Sequence, residues 1–107
     1  MECESAVFFS RADGLGSSRR IVVQGEVDMG SASELADCVA TAITGAPGDL
    51  VFDLTDATFI DSVGLKVIAS ARRRLPDAWR VVLRRPRPFV RKVLVISQLD
   101  LLCTIES

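Results

Sequence analysis

Histidine and tyrosine are absent from the chain, which removes two of the side chains most often used as general acids and bases, and with them any Ser–His or Cys–His nucleophile pair. A structural zinc site would need four clustered ligands. Without histidine it would rest on Cys3, Cys38 and Cys103, which are far apart and in no metal-like spacing. They read as two buried small hydrophobes and one loose terminal thiol. No apolar run reaches the ~20 residues that span a bilayer as a helix. Met1 to Ser10 carries two glutamates and lacks the positive and apolar regions of a signal peptide. A cytoplasmic location with no membrane contact is the expectation. The chain also has no G-x-x-x-x-G-K-[ST] phosphate loop, no G-x-G-x-x-G after a strand and no G-x-S-x-G elbow. Enzymatic function, a bound cofactor and a metal are therefore not expected.

What is present is ordinary globular composition, 49% hydrophobic and 25% charged, in 107 residues. That is room for one domain, taken as 1–107, around one core. The charge is uneven. Met1 to Asp61 holds eleven acids and three bases, whereas Ser62 to Ser107 holds ten bases and three acids. The basic half, with Arg72 to Arg74, Arg84, Arg85, Arg87, Arg91 and Lys92, invites a nucleic-acid reading. Against it, the aromatics are few and not interleaved with the bases, and the overall pI is acidic. Two halves that interleave in one fold and neutralise each other are the simpler expectation.

The punctuation is regular. Ser5 to Ser10 and Arg20 to Val27 read as two strands of a hairpin about a turn at Ala12 to Ser18. Ser31 and Glu34 stand in the capping-box relation at the start of a helix whose apolar face is Ala32, Leu35, Ala36, Val39 and Ile43. Gly45 and Pro47 end it. Leu50 to Leu54 is a strand suited to cover on both faces. A second helix starts near Asp61 or Ser62, with Leu65, Ile68, Arg72 and Leu75 on one face, Arg72 to Arg74 in its last turn and Pro76 as the stop. Arg80 to Arg84 is a strand. Pro88 opens a third helix with Phe89, Val90, Val93, Leu94 and Ser97 along one side, and Leu101 to Ile105 is the last strand. The order β-β-α-β-α-β-α-β predicts an α/β domain with a mixed, mostly parallel sheet and helices packed against it.

The informative stretch is Asp53 to Leu65, DLTDATFIDSVGL. Asp53, Asp56 and Asp61 gather where a strand ends, a place where open α/β sheets bind ligands, and such carboxylates can hold Mg²⁺. Equally, Asp53 can pair locally, Asp56 can make a turn and Asp61 can cap a helix. Ser62 falls at a helix start, where a serine can serve as cap or accept a phosphate that the unpaired N–H groups tolerate. Gly64 keeps the first turn narrow enough for a partner backbone to approach.

DLTDATFIDSVGL resembles the signature of the STAS family, in particular of anti-sigma factor antagonists, roughly D-L-S-x-V-x-F-x-D-S-x-G-L. Gly25-Glu26-Val27-Asp28 with Ala32 and Leu35 resembles the family's G-E-[LV]-D and following helix. Pro88 to Leu102 resembles its third helix and the loop to the last strand. The resemblance implies a bacterial transcription regulator of the stress-response kind. Ser62 would be phosphorylated by an anti-sigma factor, a kinase of the histidine-kinase-like ATPase fold, and reset by a phosphatase. The unphosphorylated protein would bind that anti-sigma factor and free the sigma factor. Asp28, Asp61, Ser62, Val63 and Gly64 would form the partner-binding surface. Two departures stand out: Val63 replaces the second hydroxyl of many relatives, and the family's C-terminal helix is expected to be missing after the last strand, leaving part of a sheet face or edge exposed. A non-phosphorylated STAS adaptor is the alternative, followed by a nucleic-acid-binding module.

Overall fold

The computed structural model describes residues 7–11, 18–43 and 47–106. Cys3, Gly45 and most of the Ala12–Ser18 turn lie outside them. Within them, β-branched and aromatic runs build a five-stranded sheet whose order in space follows the chain. The strands are β1 (Val7–Arg11), β2 (Arg19–Val27), β3 (Asp49–Ile60), β4 (Arg80–Arg84) and β5 (Thr104–Glu106). β1 runs antiparallel to β2, and β2 to β5 are mutually parallel. The helices are α1 (Met29–Ala42), α2 (Ser62–Arg74), α3 (Pro88–Ile96) and the one-turn α4 (Leu99–Leu102). The mixed α/β class expected from the sequence is the one observed.

Successive crossovers of one hand, each stepping to the next strand, place their helices on one side. α1 packs on β1 and β2, α2 on β3, and the two helices on each other. The sheet rows they cover are apolar: Ile21, Phe52 and Leu83 stand in register and are fully buried. The alternate row points the other way and has a different character. Arg20, Val51, Val82 and Thr104 share one register line, and Val22, Asp53, Arg84 and Glu106 the next. On that face Arg84 pairs with Glu106 at 2.8 Å and Arg80 with Asp49 at 3.1 Å, while Val51 and Val82 between them are buried.

β3 corrects one expectation. Instead of stopping at Leu54 it continues to Ile60. Its pairing with β2 shifts twice, once between Val22 and Gln24 and once between Gly25 and Glu26, and each shift leaves one extra residue on β3. The inward side chains are therefore Leu50, Phe52, Leu54, Ala57 and Ile60, spaced by two, two, three and three. That breaks the period of two and reads as a loop in sequence. Gly25, on β2 beside the second shift, has φ +76°, the left-handed backbone that glycine adopts without strain.

The chain end also differs. Leu101–Ile105 was expected as a strand; Leu99–Leu102 forms a helical turn and β5 begins at Thr104. Gln98, at φ +66°, breaks α3, and the turn that follows buries Leu99. In α3 the buried residues are Val90 and Leu94, while Phe89 is exposed.

Much of the basic half is used internally. Arg72 folds back from the end of α2 to donate to the carbonyl oxygens of Leu75, Pro76 and Trp79 at 3.0–3.2 Å, satisfying acceptors that a helix end and its following turn leave open. From the acidic half, Arg19 lies buried over the Trp79 ring at 4.9 Å. Arg87 donates to the Thr55 carbonyl and approaches Asp56 at 3.7 Å. With Arg80–Asp49, this joins the basic half to the acidic one, as expected.

Candidate functional site

Two helices start side by side where β2 and β3 end. The Asp61 N–H donates to the Val27 carbonyl at 2.9 Å, so the two strand ends are tied together. One residue further along each segment stand Asp28 and Ser62.

α2 is capped by Asp61, whose Oδ1 accepts from the N–H groups of Val63 at 2.9 Å and Gly64 at 3.0 Å. Ser62 is the first helical residue and not the cap. The carboxylate is the better acceptor, and it sits where the chain leaves β3 in an extended conformation. The Ser62 side chain is exposed and hydrogen-bonds to none of the described residues. The N–H groups expected to receive a phosphate are also spoken for, since Asp61 already holds those of Val63 and Gly64.

α1 starts the same way. Asp28, not Ser31, is the cap, and its Oδ1 accepts from Gly30 at 2.9 Å and Ser31 at 3.1 Å. Ser31 completes the capping box from the third helical position. Its hydroxyl accepts from the Asp28 N–H at 3.0 Å and donates to the Glu26 carbonyl at 3.2 Å. Glu34 has no part in the cap.

Gly64 is buried, and a Cβ there would lie 2.7 Å from Val27 Cγ1 and 3.0 Å from Ile60 Cγ2. Its missing side chain lets α2 seat on its own sheet; the expected opening toward a partner is closed by Val27 and Ile60. Val63 is half-buried and lines a shallow cleft of about 330 Å³ between α1 and α2 with Ala36 and Val39.

The three gathered aspartates part company. Asp53 Oδ1 accepts from the Thr55 hydroxyl at 2.7 Å and its N–H at 3.1 Å. Partial burial pushes its carboxyl up, but these bonds and the charges of Arg20 and Arg84 outweigh that and hold it below the ordinary value. Asp56 lies in β3, not in a turn, and faces Arg87. Asp61 caps α2. No metal-ligating group of three forms among the described residues. Burial pushes the Cys103 thiol up to about 11, and partial burial with Asp37 and Glu34 raises that of Cys38. Neither is poised as a nucleophile.

Sequence reasoning missed an apolar rim on the same end of the molecule. Met29 follows the Asp28 cap and is 76% exposed. Phe59, three residues before Ser62, stacks on Phe89 at 6.3 Å between ring centroids, and both rings face solvent in part. The second shift in β3 is what turns Phe59 outward.

Among the described residues no helix is long and apolar enough to cross a membrane. Residues 10–107 match the model of the STAS domain. Over 53 residues the chain is 32% identical to the anti-sigma-F factor antagonist RsfB of Mycobacterium tuberculosis, a match covering 50% of this chain and 43% of that protein. The fold superposes on an anti-sigma factor antagonist from Mycobacterium paratuberculosis with a TM-score of 0.81 at 27% identity, covering 96% of this chain and 86% of the other. The antagonist SpoIIAA in its unphosphorylated form gives 0.80 at 26% identity over 95% of this chain and 89% of its own. Its phosphorylated form, described as a Bacillus cell fate determinant, gives 0.73 at 25% over 95% and 92%. With a family model spanning nearly its whole length and the same fold in these relatives, the chain belongs to the STAS domain family.

Proposed function

We propose that the chain is an anti-sigma factor antagonist whose switch is Ser62. Unphosphorylated, it binds an anti-sigma factor of the histidine-kinase-like ATPase fold and so frees the sigma factor. Phosphorylation of Ser62 by that partner ends the binding, and a phosphatase restores it. Asp28, Asp61, Ser62 and Val63 form the centre of the docking surface, with Met29, Phe59 and Phe89 as its apolar contribution. Exposed aromatic and Met side chains are common anchors of such surfaces.

The observation that carries the reading is the division of labour at the start of α2. Asp61 does the capping, and the Ser62 hydroxyl is left exposed with no hydrogen-bond partner among the described residues. A serine needed as a cap could not be modified without loosening its helix; this one can. A phosphate there adds about −1.5 to −2 charge beside the Asp61 carboxylate. Because Asp61 already holds the N–H groups of Val63 and Gly64, these are not free to offset the added charge, which stands where a partner approaches. The relative SpoIIAA exists in phosphorylated and unphosphorylated forms, which is consistent with such a switch.

Phosphosite mapping by mass spectrometry on the protein from its own cells, with Ser62→Ala as control, tests the reading. Phosphate on Ser62 is expected, together with full anti-sigma factor binding by Ser62→Ala and weak binding by Ser62→Asp. A Ser62 that stays bare under all growth and stress conditions, with equal binding by all three forms, would leave a non-phosphorylated STAS adaptor.

A further inference from the structure

α2 turns Ser62, Lys66, Ser70 and Arg73 outward, all exposed and spaced to lie along one side of the helix. The helix contains no acid, and neither Lys66 nor Arg73 has an ion pair among the described residues. Beside this stripe runs an open groove of about 550 Å³ between α2 and the α3–α4 corner. Ser62 stands at one end. Leu65, Ala69 and Leu99 line its apolar part, with Leu102 on the α4 side. Among the described residues no carboxylate lines it. Leu102 is 42% exposed, and Ile96 and Leu101 from the same corner are 73% and 75% exposed, so apolar surface continues past the groove.

An apolar trough, small at Ala69 and edged by cations seven residues apart, has the form that receives an amphipathic helix. The edge selects its charge, because an acidic flank meets Lys66 and Arg73 while a basic flank is repelled. Lys66 also lies four residues after Ser62. In a helix that spacing brings Cβ atoms to about 5–6 Å, and an anion N-terminal to a lysine is the favourable order. With the N–H groups of Val63 and Gly64 engaged by Asp61, Lys66 is the cation on α2 placed to answer a phosphate on Ser62.

We infer that the groove between α2 and α4 docks an acidic amphipathic helix of a protein partner, held by Lys66 and Arg73, and that a phosphate on Ser62 loosens it by drawing Lys66 to itself. The second half rests on the proposed role of Ser62; the first does not.

The test uses the ¹⁵N-labelled chain and three probes: a synthetic helical peptide with leucines on one face and glutamates beside them, its lysine-for-glutamate counterpart, and a single-stranded oligonucleotide of the glutamate peptide's net charge. The glutamate peptide should shift the amides of Leu65, Ala69, Ser97 and Leu102 and weaken with added salt. Lys66→Glu with Arg73→Glu, both exposed and compatible with the fold, should cost it about tenfold, the worth of two exposed ion pairs, and should turn preference to the lysine peptide. Equal binding of both peptides, shifts confined to the Met29, Phe59 and Phe89 rim or the charged sheet face, or tighter binding of the oligonucleotide would overturn the docking. With phosphoserine installed at position 62, the glutamate peptide should bind several-fold more weakly, and ³¹P NMR should show a phosphate pKa lower than in the Lys66→Ala variant. Unchanged affinity and pKa would overturn the coupling while the groove stands. A bare Ser62 in cells would instead remove the switch reading alone.

Discussion

The two helix starts at the top of the sheet use the same device and end in opposite states. In each, an aspartate leaves the end of a parallel strand and caps the helix with one carboxylate oxygen. At α1 the accompanying serine is turned inward: Ser31 is 3% exposed, with its hydroxyl held between the Asp28 N–H and the Glu26 carbonyl. At α2 the serine comes two positions earlier in the helix, directly after the cap, and faces water. A buried hydroxyl with two partners is structure; an exposed one beside a self-sufficient cap is free for chemistry. What separates them is position relative to the aspartate, three residues on against one.

Gly64 should be the most sensitive point of this comparison. Gly64→Ala drives a methyl into Val27 and Ile60, and a loss of about 1–3 kcal/mol in urea unfolding is expected. Gly30→Ala in the first turn of α1, two residues after its cap where Gly64 is three after Asp61, meets only the Asp28 carboxylate, at 3.3 Å, and should lose less. Next comes Ser31→Ala, which strips the hydroxyl partner from a part-buried N–H and carbonyl and should cost about 1 kcal/mol. Asp61→Ala and Asp28→Ala each remove a cap, for about 1 kcal/mol apiece. The smallest effect belongs to Ser62→Ala, expected within about 0.5 kcal/mol of the parent. A large loss there would make Ser62 a structural residue like Ser31 and collapse the distinction.

A third aspartate, Asp53, sharpens the contrast through pH. Its carboxyl is held below the ordinary 3.8 despite partial burial, by Thr55, Arg20 and Arg84. A folded-state value below the unfolded one means that its stabilisation is complete above 3.8 and is lost as pH falls through the lowered value. Asp53→Asn should therefore flatten that part of the acid-unfolding curve.

The sequence carried the element order, the start of α2 and the serine in it, because Asp61-Ser62 interrupts the apolar pattern sharply. At α1 the expected Ser31–Glu34 box gives way to one formed by Asp28 and Ser31. The choice falls to Asp28 because Val27 is the last buried residue of β2 and the chain turns immediately after it. The upper half of β3 was illegible for a different reason. A strand with two extra residues keeps no fixed period, and Phe59 shows its exposure only once the pairing with β2 is known. Lys66 was within reach, being one helical turn beyond a suspected phosphoserine. The Leu99–Leu102 turn was not, since its apolar run suits a strand equally well.

The upper half of β3 acts as a ruler. β4 pairs with β3 only as far as Asp53, so the seven residues from Leu54 to Ile60 rise beyond β4 and raise the start of α2 above that edge of the sheet. Thr58 is the residue that the second shift leaves over between the Gly25–Ala57 and Glu26–Phe59 pairs, so deleting it would restore a period of two with Phe59 still outward and Ile60 still inward. The height at which the molecule presents Ser62 is thus set by how far one strand outruns its neighbour, and it tolerates loss of the bulged residue better than loss of a paired one.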